Sequence, residues 1–361
     1  MEKLFDVHVH STFAIKLSET IEIFKEEFSA TGTEKYNFMS VPHHATFDGE
    51  LQFVETQNVR NLFLKHVFAP NAYSYASLEH PYDVSCRDYK ELSNSYLKQA
   101  EEYMAAGYDG MKMLEGYPSM RKAMKRRLDD PVYDKYYSFL EENNILITLH
   151  AANPSDYWDV DKASDYVKKV GRFCDETFPT KAELHEEVDG IIKKHPKLRL
   201  TLAHFGFMSY DIEQAKRWLS HENTLFDLTP GGEQLINMSK DWDSWYKFFE
   251  EYQDRIMYGS DFYAFPKDDQ WETCFTRRPK FVRQFFETSE EHIYAGTPFK
   301  GVNLEKSIRD KIYFENAVRE FGTPKPVNKD WLRSEAVRIL DLSEKHDPFA
   351  DVDMKFILDN I

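Results

Sequence analysis

The stretch LFDVHVH at residues 4–10 decides how this chain folds. In an extended strand the side chains alternate, so Asp6, His8 and His10 share one face and the apolar side chains share the other. Two imidazoles that stand one pleat apart at the end of a strand are well placed to hold one cation. A single buried histidine is more often a core residue than a ligand, so the motif needs support from elsewhere in the chain.

Three further apolar runs end in residue types that bind metals. ILITLH ends at His150, LRLTLAH ends at His204, and RIMYGSD ends at Asp261. Imidazole and carboxylate groups at the ends of buried strands lose their hydration unless a partner compensates them. Because all strand ends of a parallel barrel meet at its C-terminal rim, we predict that these residues converge around a divalent cation.

Short apolar segments alternate with amphipathic helical segments, which predicts a parallel sheet covered by helices. A length of 361 residues fits one (β/α)8 barrel, which needs roughly 250 residues. The predicted fold class is therefore α/β, a TIM barrel with loop insertions at residues 1–325 and a C-terminal helical tail packed on it at 326–361. We expect its eight strands at residues 4–10, 37–42, 62–69, 108–114, 145–150, 198–204, 224–228 and 255–261.

The helical segments carry their own boundary signals. Ser85 and Asp88 resemble a capping box, and Gly107 is a typical helix stop. After the eighth strand, a long polar and aromatic insertion at residues 262–301 precedes a predicted helix at 307–321.

Composition and charge narrow the range of partners. A formal net charge of -16 without a basic stripe excludes nucleic acid as a favoured partner. No apolar run approaches the roughly 20 residues that a membrane span needs. The three cysteines, Cys86, Cys174 and Cys274, lie far apart without a CxxC pair, and residues 1–10 do not resemble a signal peptide. We expect a cytoplasmic protein whose partner is a small-molecule substrate, and a homo-oligomer remains open.

The motifs DVHVH, AHFG at residues 203–206 and YGSDF at residues 258–262 together resemble the amidohydrolase superfamily. The likeness is to its amidohydrolase-2 branch, which includes aminocarboxymuconate-semialdehyde decarboxylase-like and pyrone-dicarboxylate lactonase-like enzymes, and it runs from Asp6 to about Gly322. By this resemblance the expected cofactor is zinc, with manganese as the alternative, and His204 faces the substrate or a second metal. The resemblance implies that the principal metal is bound by His8, His10, His150 and Asp261.

Lys112, in the predicted fourth strand, leaves the number of ions open. It is similar to the lysine that becomes carboxylated and bridges two metals in binuclear members of the superfamily. In many amidohydrolase-2 proteins a lysine in this strand occurs without such a bridge, and Lys112 would then form an ion pair or bind substrate. A buried lysine without any partner would be costly. The site is therefore expected to hold one or two ions.

The chemistry of such a site predicts a metal-dependent hydrolase that cleaves a lactone or an amide. A zinc ion lowers the pKa of water from about 15.7 to roughly 7. Asp261 is then expected to relay the proton to the leaving group, while His204 polarises the carbonyl group. Two alternatives remain: a metal-dependent, non-oxidative decarboxylase of an aromatic or unsaturated acid, and a ligand-binding barrel without catalysis.

Residues in the loops after the strands are candidates for substrate contact, each with a purely structural role as the alternative. The two arginines among them are suited to clamp a carboxylate through their forked donors. These candidates are His43, His44, Tyr117, Arg121, Lys122, Tyr263, Arg277 and Arg278.

Overall fold

A parallel sheet curls around the centre of the computed structural model, which describes residues 2–41, 44–47, 50–81, 84–159, 161, 173–230, 234–265, 278–294 and 296–361. Its nine described strands follow the order β10-β9-β8-β7-β6-β5-β2-β1-β11. They are β1 (Leu4–His10), β2 (Thr33–Met39), β5 (Ala72–Ser77), β6 (Gly110–Gly116), β7 (Leu146–Ala151), β8 (Leu200–Leu202), β9 (Thr224–Asp227), β10 (Ile256–Met257) and β11 (Phe262–Tyr263). Two antiparallel hairpins stand apart from the sheet, β3 (His44–Phe47) with β4 (Glu50–Phe53) and β12 (Glu291–Tyr294) with β13 (Thr297–Lys300).

The barrel closes at its C-terminal rim. There β11 pairs with β1, and the Asp261 amide donates to the His8 carbonyl at 2.9 Å. Nearer the opposite end, the Tyr258 amide instead donates to the Ile312 carbonyl at 2.8 Å. The helical segment that contains Ile312 thus satisfies a backbone group of the eighth strand that would otherwise be buried without a partner.

Helices follow the strands in the predicted alternation, and in the described part of the chain none is long and apolar enough to cross a membrane. The α-helices are Leu17–Thr31, Gln57–Val67, Tyr89–Ala106, Pro118–Met124, Asp134–Glu142, Lys181–Lys194, Ile212–Leu219, Gln234–Lys240, Trp242–Glu251, Arg278–Glu287, Lys306–Asp310, Asn316–Phe321, Lys329–Leu340 and Ala350–Asn360. Short 3-10 turns lie at Pro131–Tyr133 and Ser155–Trp158, a left-handed turn lies at Ala203–Phe207, and a π-helical turn lies at Lys311–Glu315.

Most of the predicted strands are confirmed in place, but those at 198–204 and 255–261 are shorter than expected, at Leu200–Leu202 and Ile256–Met257, and the third is wrong. Residues 62–69 were expected to be a strand, whereas the helix Gln57–Val67 covers most of them and the strand is Ala72–Ser77. A short apolar run does not distinguish a buried strand from a buried helix by periodicity. This helix is buried along residues 57–65, polar side chains included, so it lacks the solvent-exposed face that would have identified it.

The predicted helix ends agree with the structure, but the predicted capping box does not form, because the N-cap is Asp88 and Ser85 lies in a turn before the helix. Asp88 caps the helix Tyr89–Ala106 by accepting from the Glu91 amide, and Gly107 ends it at φ 102°. The helical run Lys306–Phe321 ends at Gly322, with φ 62°. The predicted insertion at residues 262–301 begins with β11, a strand of the sheet, and its further described elements are one helix and the β12–β13 hairpin, while residues 266–277 lie outside the described residues.

The C-terminal helix Ala350–Asn360 contacts the helix Gln57–Val67 of the barrel through a buried ion pair. Asp353, in the last helix, accepts from Arg60 Nη1 at 2.5 Å and from the Leu17 amide at 2.8 Å. Both charged side chains are 1% exposed.

Candidate metal centre

The C-terminal rim of the barrel gathers imidazole, amine and carboxylate groups from six different strands or the turns that follow them. None of these residues is more than 7% exposed, so their charges and lone pairs act with little screening by water. They are His8, His10, Lys112, His150, His204, Asp227 and Asp261.

Three of these residues present ligand atoms to one point. His8 Nε2 and His10 Nε2 lie 3.0 Å apart. Asp261 Oδ1 lies 3.4 Å from His10 Nε2 and 3.8 Å from His8 Nε2. One ligand atom from each of the three lies within 4.8 Å of the others, a spread that one cation can bridge.

Hydrogen bonds on the far side of each ring determine where the protons lie. His8 Nδ1 donates to Asp227 Oδ2 at 2.8 Å, and His10 Nδ1 donates to the Met39 carbonyl at 2.8 Å. Both partners only accept, so each Nδ1 carries a proton and a neutral ring presents a lone pair at Nε2. Burial and the nearby Lys112 ammonium lower the pKa of His8 to about 4, which makes this ring neutral at pH 7.

Two lone pairs that face each other at 3.0 Å repel unless a positive charge lies beside them. Two imidazole nitrogens and a carboxylate oxygen are ligands that zinc and similar divalent cations prefer. Outer hydrogen bonds to a carboxylate and a backbone carbonyl are the usual supports of metal-binding histidines. The residues His8, His10 and Asp261 therefore fit a divalent cation.

Lys112 extends into the same cluster from β6. Its Nζ lies 3.4 Å from His8 Nε2. Burial lowers its pKa to about 8, although the carboxylates of Asp227 and Asp261 act in the opposite direction. This position suits both of the roles that the sequence left open, the metal bridge and the ion pair.

His150 adjoins the three converging ligands without being one of them. Its ring centroid lies 4.8 Å from that of His204, which lies 5.3 Å from that of His8. His150 Nε2 lies 3.1 Å from Asn153 Oδ1. Burial lowers the pKa of His150 to about 3, so the ring is neutral; because Nε2 donates to the Asn153 oxygen, Nδ1 is the nitrogen that remains available to a cation or a ligand.

His204 occupies a strained turn directly after β8. Its φ of 54° begins a left-handed run that includes Phe205 and Gly206, and such a φ costs a non-glycine residue roughly 1–3 kcal/mol. The His204 amide donates to Asp227 Oδ1 at 2.8 Å and to Thr229 Oγ1 at 2.9 Å. His204 Nδ1 is buried and has no hydrogen-bond partner among the described residues, which points to a ligand as its partner.

Asp261 also has a left-handed backbone, with φ 54°. Burial raises the pKa of its carboxyl group, but the Arg278 guanidinium and His10 outweigh that effect and hold the pKa well below its usual range. Arg278 Nη1 donates to the Asp261 carbonyl at 2.9 Å and also to Asp261 Oδ2. Arg278, a predicted substrate clamp, therefore contacts Asp261 directly.

The other predicted contact residues divide into two groups. The Tyr263 ring stacks on His10 at 4.5 Å, and the Tyr117 ring lies 5.4 Å from that of His150, so both border the cluster. Arg121 Nε instead donates to Glu187 at 3.1 Å, and Lys122 donates to Thr177 Oγ1. Of the remaining candidates, His43 and Arg277 lie outside the described residues, as does the side chain of His44.

Asp227 is the residue of the site that sequence reasoning missed. It ends β9 in the segment TLFD, and its two oxygens connect His8 to the His204 amide. Despite its burial, the His8 and His204 imidazoles hold the pKa of this carboxyl group well below its usual value. A carboxylate at the end of an apolar strand is the signal that identified Asp261, and it could have identified Asp227 as well.

Comparisons with known proteins identify one sequence family and a set of similar folds. The sequence model of the family described as amidohydrolase matches residues 85–323. No curated protein matches the sequence.

Solved structures with a similar arrangement include the apo form of Metarhizium anisopliae IDCase, with 17% identity, 83% of this chain and 78% of that chain covered, and a TM-score of 0.49. A dihydroxybenzoic acid decarboxylase from a Polaromonas species, with bound manganese and the inhibitor 2-nitroresorcinol, has 12% identity, coverage of 89% and 97%, and a TM-score of 0.49. A lactonase from Listeria monocytogenes has 8% identity, coverage of 89% and 96%, and a TM-score of 0.48.

Proposed function

Because this chain belongs to the amidohydrolase family, whose sequence model covers residues 85–323, we propose that it is a metal-dependent hydrolase that cleaves a lactone or amide bond in a small molecule. The observation that carries the proposal is the pair of Nε2 atoms of His8 and His10. They face each other at 3.0 Å while both Nδ1 protons are already donated to other groups.

A divalent cation, zinc or manganese, would supply a Lewis acid here and lower the pKa of water toward neutrality. His8, His10 and Asp261 would hold it, with His150 as the fourth residue of the proposed set. Asp261 Oδ1 faces the two histidines. Oδ2 would therefore be the oxygen that takes the proton from the attacking water and returns it to the leaving group. Arg278, which now donates to Oδ2, must shift when that proton arrives.

His204 is suited to bind the oxygen of the scissile carbonyl group. His204 Nδ1 and the side-chain nitrogen of Asn153, Nδ2, are buried and lack hydrogen-bond partners within the described residues. In the tautomer protonated at Nδ1, His204 would donate to the negative charge that develops on the carbonyl oxygen. Asn153 Nδ2 would provide a second donor beside His150.

A second candidate function is decarboxylation of an aromatic or unsaturated carboxylic acid. Two almost fully buried cations, Lys112 and Arg278, balance the carboxylates of Asp227 and Asp261. A bound divalent cation would therefore leave the pocket with a net positive charge, which favours a substrate that carries a carboxylate. Both candidate reactions accommodate such a substrate, but decarboxylation requires it.

The experiment that separates these functions uses protein loaded with zinc or manganese in water enriched in oxygen-18. Panels of lactones, amides and aromatic or unsaturated acids are the substrates. Hydrolysis incorporates the label into the product, whereas decarboxylation releases carbon dioxide and leaves the product unlabelled. Metal-loaded protein that binds members of the panel without turning over any of them would support the non-catalytic alternative.

A matched pair of histidine variants tests the assigned role. We expect His204→Ala to lower kcat by about 100-fold or more while the protein still binds the metal. His195→Ala is the control, because His195 is a buried histidine that packs on Tyr137 and precedes the N-terminal end of β8, away from the C-terminal rim. Equal activity of the two variants would contradict the role given to His204.

A further inference from the structure

The helix Gln57–Val67 has a row of buried polar side chains, which need partners inside the protein. Several of them reach the C-terminal ends of strands. Gln57 Nε2 donates to the Ser11 carbonyl at 3.2 Å, directly after β1. Asn58 bonds to Ser77 at the end of β5, and Asn61 bonds to Ser11 and Ser40, which directly follow β1 and β2. The helix therefore acts on the rim of the barrel through side chains as well as through packing.

Asn61 bridges the two chain segments that orient His10. Its Oδ1 accepts from Ser11 Oγ at 2.6 Å, and its Nδ2 donates to Ser40 Oγ at 2.9 Å. Ser11 follows His10 in sequence and Ser40 follows Met39, while His10 Nδ1 donates to the Met39 carbonyl at 2.8 Å. The amide of Asn61 thus holds together the two strand ends whose mutual hydrogen bond fixes the His10 ring.

Water cannot easily replace this bridge. Asn61 and Ser40 are 0% exposed and Ser11 is 2% exposed. Loss of the amide would leave two buried hydroxyl groups without one of their partners, and the ends of β1 and β2 would shift to recover hydrogen bonds. Such a shift changes the direction of His10 Nε2, the atom that faces His8 Nε2.

We propose that Asn61 is a positioning residue for His10, which sets the angle at which the imidazole meets a divalent cation. This inference rests on the proposed function, because it requires that His10 binds the cation. Asn61 itself hydrogen-bonds to the two serine hydroxyl groups and acts on His10 through them.

Asn58 offers a matched control on the same helix. Its amide holds both the N–H and the C=O of Ser77 at 3.0 Å, and it is also buried. Ser77 ends β5, a strand that carries none of the residues of the metal centre. Asn58→Ala and Asn61→Ala therefore both remove buried hydrogen bonds from one helix, but only the second removes the direct hydrogen bonds to Ser11 and Ser40.

The test measures Co²⁺ binding to the full chain by competition with a coloured chelator, together with the visible spectrum of the bound Co²⁺ and urea unfolding of the metal-free protein. We expect Asn61→Ala to weaken Co²⁺ binding by about 10-fold or more and to change the spectrum. Asn58→Ala should lose comparable stability but bind Co²⁺ with the affinity and spectrum of the wild type. Ser11→Ala, which removes one hydrogen bond from the bridge, should change the spectrum in the same direction and serves if Asn61→Ala does not fold.

Two results would overturn the inference, and they differ in what else they contradict. Equal Co²⁺ affinity and equal spectra for the Asn61→Ala and Asn58→Ala variants would refute the positioning role alone. Wild-type protein that binds no Co²⁺ would refute the metal-dependent function as well, since His10 would then have no cation to meet.

Discussion

Replacing Asp227 by Asn tests how this site controls the protons of its histidines. Asp227 Oδ2 accepts from His8 Nδ1 at 2.8 Å, and Oδ1 accepts from the His204 amide at 2.8 Å and the Thr229 amide at 3.3 Å. Asparagine has the same shape but keeps one acceptor oxygen and gains an NH2 group. Because two backbone N–H groups need the oxygen at the Oδ1 position, the NH2 group would turn toward His8.

The expected loss of metal affinity follows from the tautomer that the substitution imposes on His8. An NH2 group beside Nδ1 makes that nitrogen an acceptor, so the His8 proton moves to Nε2, the atom 3.0 Å from His10 Nε2. Metal binding must reverse the tautomer and lose a hydrogen bond, and the native bond to the charged carboxylate is worth about 1.5–3 kcal/mol. At about 1.4 kcal/mol for each factor of ten, we expect metal affinity to fall by about 10–100-fold.

The assay is a competition titration with Zn²⁺ and a chelator of known affinity, with urea unfolding to verify that the variant folds. Thr229→Val is the control, because Thr229 Oγ1 donates to Asp227 Oδ1 and not to the oxygen that holds His8. We expect this control to change the affinity far less than Asp227→Asn does. A folded Asp227→Asn protein with the Zn²⁺ affinity of the wild type would refute the tautomer argument.

Three further predictions concern stability. Asp353→Ala should lower the free energy of unfolding in urea by about 1.5–3 kcal/mol, because it removes a charged hydrogen-bond partner of the buried Arg60 while Asp347 Oδ2 remains 3.7 Å from Arg60 Nη1. Asp351→Ala, which removes an exposed acid of the same helix, should change it by no more than about 0.5 kcal/mol, and equal losses would contradict the ion-pair argument. Gly206→Ala should lower the melting temperature more than Gly296→Ala, because both glycines have a positive φ but a methyl group at Gly206 would lie 2.6 Å from Trp218 Cζ3 while one at Gly296 meets nothing within 4 Å. Removing the metal with a chelator should lower the melting temperature, and returning metal at about 100 times its Kd should restore about 2.7 kcal/mol; a melting temperature that does not respond to metal would contradict a folded-state metal site.

The residues of the strand ends show why so much of the site was accessible from the sequence. Apolar runs that stop at His10, His150, His204 and Asp261 combine two local signals, burial of a strand and a polar group at its end. Parallel topology then places all strand ends on one rim, so residues from the whole length of the chain could be assigned to one place.

The residues that escaped prediction depend on contacts between distant segments. Nothing local marks Asn61 as the bridge between Ser11 and Ser40, because it directly precedes the apolar run at residues 62–69 that was predicted as a strand and is mostly helix. Arg278 was expected to face a substrate, and only the packing of the insertion against the rim brings it to Asp261.

The sequence by itself determined the α/β barrel class, the order of its elements and the residue types that meet at the rim, because hydrophobic periodicity and chain order are properties of neighbouring residues. The tertiary structure alone decided which atoms meet. Strand register and the left-handed turns at His204 and Asp261 set which nitrogen or oxygen each residue presents. Hydrogen bonds from Asp227 and Met39 then set the proton on each ring, since a tautomer depends on a partner that lies far away in sequence.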